Sequence, residues 1–148
     1  MLRWLLAAVH LLALGIGLGS VWARARLLGA PTLDGPTLRR ALAADVWWGV
    51  AALLWVASGL WRLLASTEKP TSYYVGNHVF WTKMALFGAI LVLESRPIAT
   101  LSVWRRHLAR GETPDLRGAP GMARTSYIQA VLVILMVLAA TAMARGLG

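Results

Sequence analysis

Six residues of this chain carry chemistry into surroundings that are otherwise apolar: His10, Asp45, His78, Lys83, Glu94 and Arg96. A neutral imidazole can hold a hydrogen bond between helices or ligate haem iron through one ring nitrogen. A lysine ammonium suits a carboxylate-bearing ligand as a point charge. Buried carboxylates and guanidinium groups pair with one another, or with a ligand, because unpaired charge at low dielectric is expensive. Metal chemistry through thiolates is excluded, as are cysteine nucleophiles and disulfides, because the chain has no cysteine. No phosphate-binding loop, nucleophile elbow or zinc-protease motif is present.

Spacing groups these residues. His10 and Gly17 are seven apart, which returns almost to one helix face. Two readings of His10 stand side by side: an interhelical hydrogen bond, or an axial ligand to a haem held between helices. Lys83 and Glu94 are eleven apart, three helical turns, and so share a face. His78 and Arg96 fall on a different common face. Glu94 and Arg96 are expected as buried charges in an interhelical ion pair with Asp45. Lys83 snorkels outward or faces the interior, and His78 is an interfacial capping group or a second haem contact. Gly15 and Gly19 form a Gly-x-x-x-Gly pair suited to close helix approach, which makes a homodimer possible. Asp45, Trp48, Ala52 and Trp55 make one stripe, and Gln129, Met136 and Met143 another. Both stripes read as packing.

The elements that must position these groups follow from composition. The 148 residues are 58% hydrophobic and 14% charged, with a net charge of +9. A soluble domain of this size carries roughly twice that charged fraction. The apolar residues gather into stretches near 2–22, 41–64, 79–104 and 126–144, each near the ~20 residues needed to cross a bilayer. Breakers separate them: Gly29-Ala30-Pro31, Gly35-Pro36, Lys69-Pro70, Pro114 and Gly118-Ala119-Pro120-Gly121. The expected fold is therefore all-α, a single-domain integral membrane bundle of four helices. The arginines lie in short loops between apolar stretches, a membrane pattern and not a nucleic-acid one.

Orientation comes from basic residues. Arg24, Arg26, Arg39, Arg40, Arg105, Arg106, Arg110, Arg117 and Arg124 flank the first and third loops, nine in all. Arg3, Arg62, Lys69 and Arg145 mark the other side, four in all. The positive-inside rule places the nine in the cytoplasm and both termini outside. Aromatic belts fit, with Trp4, Trp61, Trp81, Tyr73 and Tyr74 on the outer side and Trp22, Trp47, Trp104 and Tyr127 on the inner.

The chain also resembles, over nearly its whole length, a family of bacterial membrane proteins catalogued as domain of unknown function 2214. The resemblance rests on Ala8-Val9-His10-Leu11, Trp81-Thr82-Lys83-Met84, Leu91-Val92-Leu93-Glu94, Ser126-Tyr127-Ile128-Gln129 and Met143-Ala144-Arg145-Gly146. That family is distantly similar to the copper-resistance protein D group, which includes the four-helix membrane protoporphyrinogen oxidase. There a first-helix histidine and a third-helix lysine after a tryptophan are functional, and haem b is bound. His10 and Lys83 stand at similar positions. Two departures set the oxidase activity aside: Val21-Trp22-Ala23-Arg24 replaces its proline-arginine-leucine-phenylalanine segment, and Leu93-Glu94 its tyrosine-histidine.

The resemblance implies a b-type haem protein of electron-transfer or porphyrin-related redox type in a bacterial inner membrane, with His10 as iron ligand. The redox partner and the catalytic residues stay undefined. The alternative is a non-enzymatic bundle, a permease-like subunit or assembly partner. Copper handling stands third, since no Met-x-x-Met cluster supplies soft ligands.

Overall fold

The computed structural model describes residues 1–65, 72 and 75–146, with the side chains of Leu2 and Arg3 excepted. Lys69, Pro70, Tyr73 and Tyr74, and the Arg3 side chain, lie outside the described residues. Four long helices stand among the described residues: α1 (Leu2–Leu28), α2 (Gly35–Leu64), α3 (His78–Ala109) and α4 (Ala119–Ala144). No strand occurs among the described residues. All four helices are long and apolar enough to cross a membrane.

Local chemistry sets the ends. Asp34 caps α2, its carboxylate accepting the Thr37 N–H at 2.8 Å, with Pro36 in the first turn. Asn77 caps α3, accepting the N–H groups of Val79 and Phe80 at 2.8 and 3.2 Å. Pro120 opens α4. Pro97 is buried inside α3, which continues through it despite the missing N–H. The helices run beyond their apolar stretches on the arginine-rich side. There α1 passes Trp22 and continues to Leu28, carrying Arg24 into the protein.

The packing is uneven. Helix α1 lies against α2 and α4, and α4 lies against α3, whereas the α2 and α3 backbones stay farther apart and meet through side chains. Gly17 permits the α1–α2 approach: a Cβ there would stand 3.4 Å from both Ala51 and Trp48. Gly15 and Gly19 are exposed and meet nothing across an interface within the chain. Close approach inside the bundle therefore uses Gly17, not the Gly-x-x-x-Gly pair.

Two buried clusters fill the interior. One, at the arginine-rich end, gathers Leu28, Leu38, Leu42, Leu101, Trp104 and Met122. The other, at mid-depth, gathers Val21, Trp48, Ile90, Ala130, Val133 and Met136. Toward the chain termini the space between α2 and α3 stays open. The wider separation of the α2 and α3 backbones leaves a cleft between them.

Candidate functional site

The cleft has two chambers. The outer one has a volume of about 590 Å³ and takes lining from all four helices, including His10, Arg62, Lys83, Phe87, Met136 and Met143. The inner one, about 390 Å³, is lined by small and apolar residues and reaches Asp45 and Glu94. Leu14, Trp55, Val56 and Phe87 border both. Trp55 and Phe87 meet edge to face at 6.0 Å and form the partition. Trp55 therefore does more than pack.

His10 is half-buried against α2. Its Nδ1 lies 2.9 Å from the Ser58 hydroxyl, and its ring stacks on Trp55 at 5.5 Å with a 28° interplanar angle. Gly59 makes room, since a Cβ there would stand 3.2 Å from the imidazole Cε1. The Ser58 hydroxyl donates back to the Leu54 carbonyl at 2.7 Å, with Trp55 O at 3.1 Å. A serine has one proton. With that proton on the carbonyl, the hydroxyl accepts from His10 Nδ1–H.

Lys83 is half-buried and lines the same chamber, close enough to Arg62 for the two cations to feel each other's field. No hydrogen bond or ion pair to Lys83 occurs among the described residues. The indole Nε1 of Trp55 is buried with no acceptor there either. His78 does not join this chamber: it is exposed at the first position of α3, and capping falls to Asn77.

The inner end is a different construction, and Arg24 is its centre. Arg24 is fully buried and uses all five of its N–H donors. Its Nε donates to Ser126 Oγ at 3.0 Å. One terminal nitrogen donates to Asp45 Oδ1 at 2.5 Å and Glu94 Oε1 at 2.7 Å. The other donates to Glu94 Oε2 and Gln129 Oε1, both at 2.8 Å. Gln129 returns its amide hydrogens to Glu94 Oε2 at 2.7 Å and Ile90 O at 3.3 Å. Arg105 donates to Asp45 Oδ2 at 2.5 Å and to Leu42 O at 3.2 Å. Two guanidinium groups face two carboxylates, so the cluster is neutral in charge. It links one residue or more from every helix.

Three sequence expectations change here. Arg24 is fully buried, so eight exposed or half-buried basic residues remain at this end, against four named for the other. Arg96 is exposed, not buried, and Glu94 pairs with Arg24 in its place. Gln129 is a member of the polar cluster and not mere packing. A signal for Arg24 existed: His10, Gly17 and Arg24 fall at successive seven-residue steps on one face of α1. Among the described residues, no group of three or more His, Asp or Glu side chains gathers as a metal site.

Comparison with known proteins fits this architecture. The family model described as "Predicted membrane protein (DUF2214)" matches residues 2–148, and the chain belongs to that family. No curated protein and no solved structure matches the chain.

Proposed function

We propose that this protein binds b-type haem in the outer chamber and serves electron transfer or porphyrin-related redox chemistry in a bacterial inner membrane. The observation that carries the reading is one chamber lined by both His10, held 2.9 Å from the Ser58 hydroxyl, and Lys83. The chamber volume lies in the ~300–1,000 Å³ range of small-molecule sites, and its walls are apolar and aromatic. The fit is chemical as well. An amphipathic ligand bearing carboxylates answers the Lys83 ammonium, which otherwise lacks a partner among the described residues, and an acceptor on the same ligand answers the Trp55 N–H. His10 would hold the iron, Lys83 and Arg62 would face the propionates, and Trp55 and Phe87 would floor the ring. Bound haem supplies a one-electron iron couple. The protein's part is to orient His10, exclude water and set the field around the iron.

Spectroscopy tests it. Protein purified in mild detergent from haem-replete cells should show a Soret band and a reduced alpha band of b type. His10→Ala should remove both, and His78→Ala should keep them. A well-folded preparation without a Soret band after haem titration would favour the non-enzymatic bundle.

The proposed orientation places both termini in the periplasm, since eight accessible basic residues lie at the end of the bundle that carries the first and third loops. Single cysteines at Gly35 and Gly118 should resist an impermeant thiol reagent in intact cells, while one at the exposed Ser72 should react. Reversed labelling overturns the orientation.

A further inference from the structure

The inner chamber needs an occupant of its own. It lies beyond the Trp55–Phe87 contact, takes lining from all four helices, and is open along part of its wall. Its walls include Gly17, Gly49, Ala52, Leu91, Ile98 and Val133. Asp45 and Glu94 at its end are both paired with arginine, so the groove has no charge left for a polar ligand. In a chain of membrane-spanning helices, such a groove faces acyl chains.

A charge marks one end of it. Leu91, Ile98 and Arg105 stand at seven-residue steps, so Arg105 continues the groove-lining face of α3 about 10 Å beyond Ile98. The Arg105 side chain is 35% exposed and engages Asp45 and Leu42 through one terminal nitrogen. Its Nε and other terminal nitrogen carry no hydrogen bond among the described residues. Those N–H groups point apart, and each can donate singly to a phosphate oxygen. Exposed Arg39, Arg40 and Arg106 add positive field at this end of the bundle.

We propose that the inner groove holds one acyl chain of an anionic phospholipid from the leaflet on the arginine-rich side, with its phosphate bound by Arg105. The site is separate from the haem reading and does not rest on it. Occupancy by a chain fills the space between α2 and α3, and the headgroup uses the guanidinium donors that the Asp45 pair leaves over.

Native mass spectrometry of the detergent-released full chain tests this. Titration with dioleoyl phosphatidylglycerol should give one retained lipid per chain, held about tenfold better than phosphatidylcholine with the same chains. Gly49→Leu and Ala52→Phe should each weaken that retention about tenfold by filling the groove. Gly49 is the safer of the two, since a Cβ there meets nothing within 4 Å, and a thermal melt verifies folding. Arg105→Gln should remove the preference for the anionic headgroup while leaving residual binding of both lipids. Equal retention of the two lipids overturns the proposal. So does undiminished retention in a folded Gly49→Leu variant, and so does preference for free oleate over the phospholipid. The haem spectrum is read on the same samples, so failure of either site is seen separately.

Discussion

The two ends of the bundle handle buried polarity in opposite ways. At the arginine-rich end every donor of Arg24 has an acceptor, both carboxylates are paired, and charge sums to zero across the cluster. At the outer end Lys83 and the Trp55 indole stand in a chamber without partners among the described residues. A satisfied network holds helices together, because removing one member orphans the rest. An unsatisfied group is a standing cost that a bound ligand can offset. The difference separates a tie from a site, even though both are made of charged residues facing the interior.

Substitution sharpens the contrast. Arg24→Leu should have the largest effect, leaving Asp45 with Arg105 alone and Glu94 with no cation among the described residues. A cost of about 3–5 kcal/mol is expected, read as loss of folded protein or a large drop in Tm in detergent. A Tm close to wild type would mean that the cluster does not hold the bundle. Glu94→Leu comes next, since it strands part of the Arg24 fork. Glu94→Gln should be milder, because an amide oxygen can still accept from Arg24, at the loss of one charge.

The outer end should respond in reverse. Lys83→Leu orphans no partner among the described residues, so Tm should hold or rise slightly while haem retention falls, the trade expected where a functional group is strained. A collapse of stability would move Lys83 from the site to the tie. Arg96→Gln should change stability by no more than ~0.5 kcal/mol, as for an exposed residue outside any network. A large loss there would contradict its outward placement.

The smallest effect is at the Asp34 cap. Its hydrogen bonds to Thr37, side chain first and backbone second, hold the carboxyl below its ordinary 3.8, with lesser help from Arg40 and Arg39. A depressed folded pKa gives stability that is fully present above the unfolded value and is lost as pH falls through the folded one. A slight decline in Tm below about pH 4 should therefore be smaller in Asp34→Asn, which keeps a cap without the titration. An identical acid response in both proteins would assign the decline to other groups.

Part of this architecture was readable from the residues. Four apolar stretches near bilayer length dictate four helices, since in lipid each backbone must satisfy its own hydrogen bonds. The shared face of Lys83 and Glu94 followed from three turns of spacing. Even the outward turn of Arg96 was within reach, because two residues on a helix differ by about 200° and Glu94 faces inward. His10, Gly17 and Arg24 formed a ladder that the loop-like position of Arg24 concealed.

What sequence by itself determined is therefore the membrane class, the helix number and the inventory of ionisable groups at depth. Tertiary structure decided which of them meet. Arg24 became the centre of the protein because α1 runs on to Leu28 and turns that guanidinium toward Asp45, Glu94 and Gln129 on the three other helices. The cleft exists because α1 and α4 take the close contacts and leave α2 and α3 apart. Helical periodicity assigns a residue to a face, but which neighbour that face meets depends on how four helices divide their contacts.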